Sequence, residues 1–108
     1  SYWNLSRDEA EPIATTGVPG HAQEYETSMA LAMFPENVRR DAMNDQEDKL
    51  PLEANAEKGK LLVQLAVAKT AEYLQGMIDG GNDEIRPHLM SWQLDPKANE
   101  TDVKERVV

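Results

Sequence analysis

A chain of 108 residues with a formal net charge of −9 is one domain at most, or part of one, and can bury only a small core. The surplus of 20 acidic over 11 basic residues argues against direct binding to a nucleic-acid backbone or an anionic membrane, both of which require clustered Lys and Arg. The absence of cysteine excludes a disulfide scaffold and a thiolate metal site and permits the cytoplasm, the expected compartment.

In chain order, Ser1-Tyr2-Trp3-Asn4-Leu5 is β-prone and reads as the end of a strand whose beginning lies upstream. Ser1 stands without an initiator Met, which predicts either processing or a piece of a longer protein. From Ser6 to Gly20 the pattern dissolves into acidic residues punctuated by Pro12, Gly17, Pro19 and Gly20, and predicts a long loop. A first helix is predicted to start between Glu24 and Thr27 and to run to Phe34, where Pro35 breaks it. Residues 39–53 are polar with mixed charge, and Asn44 to Asp48 reads as a solvated loop. The periodic apolar residues of Ala54 to Ile78 predict a long helix, capped by Asn55 and ended by Gly80-Gly81. Leu61 and Leu65 lie off its main apolar face, which predicts cover on a second side from residues outside this chain. No apolar run approaches the roughly 20 residues of a membrane helix, and no basic-then-apolar stretch reads as a signal peptide. Residues 81–108 read as a tail. Within it, Arg86 to Leu94 is expected to form a short docked segment anchored by Trp92, and the run from Ala98 is expected to be disordered or weakly helical.

The densest chemistry falls on Gly20 to Ser28. His21 and Glu24 stand three residues apart, a spacing that on a helix puts both on one face, as in carboxylate–histidine metal pairs. Imidazole also suits general acid or base work, because its ordinary titration lies near neutrality. The plainer alternative is a surface histidine hydrogen-bonded to a neighbouring carboxylate. For Glu26, Thr27 and Ser28 the plain roles are dipole complement and helix caps. Ser1 as an N-terminal nucleophile has no further support. His88 is a lone histidine with no assigned role, and Met29, Met33 and Met77 read as core filler.

The run Gly20-His21-Ala22-Gln23-Glu24-Tyr25-Glu26-Thr27-Ser28, continued through Pro35 to Arg39, resembles the C-terminal motif of the creatininase family of creatinine amidohydrolase-like proteins. Members carry a string like H-A-G-x-x-E-T-S before a short helix and a proline turn. Ser1-Tyr2-Trp3 resembles the family's strand end upstream of that histidine, and the stretch from Ala56 resembles its final helix. The resemblance covers residues 1–78. It implies an α/β fold, with residues 1–80 as the C-terminal part of a three-layer α/β/α domain. It also implies a metal-dependent hydrolase of amide or formamide C–N bonds, acting on a small-molecule substrate.

The same resemblance implies a divalent metal cofactor (zinc, manganese or iron) whose ligands lie mostly outside this chain. The family's metal motifs, like E-x-H-G and N-G-H-G-G-N, do not occur here. The implied partners are an N-terminal half of the same fold and further copies, hexameric in many members. Residue by residue, His21 matches the histidine that passes a proton to the leaving nitrogen. Trp3 matches an aromatic at the pocket wall. Glu24 matches a carboxylate that reaches the metal centre or orients His21, and Glu26 a position of structural or indirect metal-site role. Gln23 in place of a common glycine, and the short segment between Trp3 and His21, set creatinine itself aside as the expected substrate. The competing reading is a non-enzymatic, acidic helical interaction module, or an inactive fragment, derived from such an enzyme.

Overall fold

A computed structural model describes residues 1–81. Five α-helices follow one another: α1 (Tyr2–Leu5), α2 (Arg7–Ala10), α3 (Glu24–Met33), α4 (Arg40–Met43) and α5 (Ala56–Ile78). Single 3-10 turns at Pro35–Asn37 and Leu50–Glu53 join the later elements. The expected tail segment with Trp92, and the run from Ala98, lie outside the described residues.

The α/β expectation is overturned: the described residues contain helices and no strand. Ser1 to Leu5, expected as a strand end, is a helical turn in which Asn4 N donates to Ser1 O at 3.1 Å. A strand stub needs a neighbouring ladder to satisfy its amides, whereas a helical turn satisfies them locally. The apolar side chains then decide how the turn docks. Tyr2 stacks on Tyr25 with ring centroids 6.4 Å apart, and Trp3 packs against the core cluster. The expected loop after Ser6 is likewise half helical. α2 occupies Arg7–Ala10, and Ala14 N continues its pattern onto Ala10 O at 2.9 Å.

α3 and α5 form the centre. Their contact is closest where Gly59 meets Ser28: a Cβ built on Gly59 would lie 1.8 Å from Ser28 O. Only a residue without a side chain permits that approach. Ala10, Ala14, Val18, Tyr25 and Leu62 make the buried cluster, so α2, the long loop, α3 and α5 all feed one core. Lys69 Nζ meets Glu9 Oε1 at 3.0 Å and fastens α5 to α2; the bond from Lys69 holds the Glu9 carboxyl below its ordinary range.

The ends of α5 follow ordinary capping rules. Asn55 Oδ1 accepts from Lys58 N at 2.8 Å, as its position before the apolar run predicts. At the other end Gly80 adopts φ +77°, and Gly80 N and Gly81 N donate to Met77 O and Gly76 O. That pair of bonds is a Schellman motif, which satisfies two terminal carbonyls. No helix among the described residues is long and apolar enough to cross a membrane.

Candidate functional site

His21 stands on the loop Gly17–Gln23 that enters α3. Three contacts hold this loop. At its base, Glu24 Oε2 accepts from both Thr16 N (2.9 Å) and Thr16 Oγ1 (2.7 Å), closing the chain across eight positions. In its middle, the Val18 side chain is buried in the core, and Val18 O accepts from Arg7 Nη1 at 2.8 Å. At its end, Gln23 Nε2 donates to Asp48 Oδ2 at 2.9 Å. The Val18–Pro19 peptide is cis. Gly20 (φ 65°) and Ala22 (φ 51°) flank His21 in the left-handed region. Alanine pays about 1–2 kcal/mol for that conformation, so the surrounding contacts impose it. The His21 side chain is exposed and makes no hydrogen bond to the other described residues.

Glu24 is fully buried, and both of its oxygens are engaged. Oε2 holds Thr16, and Oε1 accepts from Lys58 Nζ at 2.9 Å across 34 positions of sequence. Lys58 Nζ also donates to Glu53 O at 2.9 Å. Burial alone pushes the carboxyl upward. The bonds from Lys58 and from the Thr16 side chain and amide, together with the Lys58 charge, outweigh it, and Glu24 lies below its ordinary value of 4.5. Glu24 is thus an ionised clamp joining loop, α3 and α5. His21 precedes the first helical residue of α3, so the shared helix face suggested by the three-residue spacing is not formed.

Glu26 caps the same helix start. Its Oε2 accepts from Ala22 N at 2.7 Å, while Thr27 Oγ1 donates to Ala22 O at 3.2 Å. Both side chains thus reach back past the N-cap Gln23 and tie the loop residue Ala22 to the first turn of the helix. Ser28 is buried, and its Oγ accepts from Asn55 N at 3.2 Å, joining α3 to the start of α5. Tyr25 is fully buried, and burial first, with smaller contributions from Tyr2 and Glu26 against an opposing one from Ser6, raises its phenol to about 12. It is a neutral core residue, not a base. Trp3 is half-buried on α1, with the Arg7 guanidinium 5.9 Å from its ring centroid. Because Arg7 also holds Val18 O, Trp3 reaches the His21 loop through that arginine.

Beside the loop lies a shallow cleft of about 200 Å³ whose lining includes Ala22, Thr27, Arg39, Met43, Gln46 and Pro51. Ala22 adjoins His21 in the chain, and His21 itself is not part of the lining. Among the described residues no group of three or more His, Asp or Glu side chains is placed to hold a metal ion, and Glu24 has no oxygen to spare.

Residue-type reasoning missed Thr16, Lys58 and Arg7. Their partners lie 8, 34 and 11 positions away, and no local pattern announces such pairs. Compared with protein-family models, curated proteins and solved structures, the chain matches none.

Proposed function

We propose that the chain is the C-terminal segment of a creatininase-like amidohydrolase, in which His21 delivers the proton that lets the amide or formamide nitrogen leave. The observation that carries this reading is the loop. The backbone that carries the exposed His21 is held by a buried carboxylate clamp, a core-anchored valine and two further hydrogen bonds, and His21 is followed in the chain by the cleft residue Ala22. General acid catalysis requires a group delivered to a defined place yet open to substrate, and a fixed loop backbone bearing an exposed imidazole supports that role for His21. Glu24 and Glu26 act here as supports of the loop and of the helix start. Divalent-metal ligands belong, on this reading, to an N-terminal half of the enzyme that packs against this segment.

The exposed face of α5 supports such packing. Leu61, Val67, Leu74 and Ile78 are exposed, and between them lie Gln64, Ala68, Ala71 and Gln75. This face bears no charge in a chain of which 29% is charged, as an interface core does and a solvated face does not. The same face favours the second reading, a non-enzymatic helical interaction module.

Native mass spectrometry with elemental analysis tests the proposal on the purified protein. The expected result is a complex with a second polypeptide and near-stoichiometric zinc, manganese or iron, active on simple amides or formamides. His21→Ala then lowers kcat by roughly 10²–10⁴ without changing metal content or helicity. A metal-free, inactive single chain overturns the hydrolase reading and leaves the interaction module or an inactive fragment.

A further inference from the structure

The cleft beside the loop that carries His21 has one charged lining residue, Arg39, and no acidic one. In a protein with 20 acidic and 11 basic residues that is an unusual selection. Arg39 is exposed and, like Arg40 and Lys49, forms no ion pair among the described residues, but of these three only Arg39 lines the cleft. The cleft's other walls are apolar or neutral: Ala22, Thr27, Met43, Gln46 and Pro51 among them. Its volume of about 200 Å³ falls below the 300–1,000 Å³ of whole-ligand pockets. It has room for one end of a small molecule, not for all of it.

We propose that this cleft is a carboxylate subsite, in which Arg39 holds the acid end of a small N-acyl amino acid or similar amide acid against the loop that carries His21. A guanidinium presents paired N–H donors that match the two oxygens of a carboxylate. The net negative field of the protein opposes anions in general, so a local unpaired arginine is what admits one. The short apolar walls suit the carbon stem that follows. The choice of substrate class rests on the reading of His21 as proton donor; the anion subsite rests on the cleft alone.

N-acetylglycine and its neutral counterpart N-acetylglycinamide differ by little more than the charge and make a matched pair of probes. Titration of the 108-residue protein, followed by backbone amide NMR shifts, is expected to show N-acetylglycine moving Ala22, Thr27 and Met43, with millimolar affinity that weakens as salt rises. N-acetylglycinamide is expected to bind more weakly by about two- to fivefold, the size of effect a solvent-accessible ion pair supports. Arg39→Gln removes the same factor, and Arg40→Gln, next to it but outside the cleft lining, does not. Equal binding of the two probes, no shifts at tens of millimolar, or equal losses in the two arginine variants each overturn the proposal. The probe comparison uses the unmodified protein and does not depend on a variant folding. Acid-selective binding by a chain that never hydrolyses amides upholds the subsite and removes the enzyme. Turnover of neutral amides as readily as acids by the assembled enzyme upholds the hydrolase and removes the subsite.

Discussion

Glu24 shows how one side chain's burial and partners decide its role. A carboxylate with no exposed surface remains ionised only because Thr16 and Lys58 occupy its oxygens. Its folded pKa is depressed below 4.5, so the folded state binds fewer protons there than the unfolded chain. The stability this contributes is complete above about 4.5 and is lost as pH falls through the depressed folded value. Glu24→Gln is expected to be less stable at neutral pH by roughly 2–3 kcal/mol, since it leaves Lys58 without its charge partner, discounted because Lys58 is partly exposed. The gap between variant and parent should then close as the medium is acidified below about 4.5. Denaturant midpoints measured between pH 7 and pH 3 check this, and a gap that does not shrink refutes the clamp. Of the four residues singled out by resemblance, the sequence places His21 in a loop at a helix start and suggests a dipole-complementing place for Glu26, and the structure has both there. It does not announce that Glu24 is buried, because its lysine partner arrives from another helix.

Helices α3 and α5 were readable because their signals are local. Pro35 ends the first, and a cap, a sustained apolar period and a Gly-Gly stop bound the second. Ser1 to Leu5 was not, because β-prone residues carry a strand only where a ladder exists, and here the helical turn docks Tyr2 and Trp3 on a helical core instead. What joins α3 to α5 was also hidden. Gly59 looks like a weak spot in a helix until Ser28 O is found where its Cβ would be. Gly59→Ala improves helix propensity by about 1 kcal/mol, yet it drives a methyl into a backbone carbonyl that cannot rotate away. Net destabilisation of roughly 2–3 kcal/mol is expected, measured as a lowered Tm. A Tm equal to or above the parent's would show that the two helices can part without cost.

The full chain carries a net charge of −9, yet the outer face of α5 from Leu61 to Ile78 bears no charged residue. A solvated helix face gains nothing from exposed Val67, Leu74 and Ile78, and those residues are 64%, 53% and 79% exposed. A covered one gains from each of them at about 25 cal/mol per Å² removed from water. The two explanations predict opposite results for Leu74→Glu. On a free face the substitution leaves both the fold and the particle mass unchanged. On a covered face it leaves the isolated segment folded, because Leu74 is outside the core. Association is nonetheless lost, because an unpaired carboxylate buried in an apolar contact costs several kcal/mol. The expected outcome is the second: helicity by circular dichroism equal to the parent's, and a native mass reduced from the complex to the single chain. Leu62→Glu, in the buried cluster, is the contrasting variant and should lose helicity itself. If Leu74→Glu retains the complex, its partner does not sit on α5, and the packing proposed for an N-terminal half must be sought on another surface.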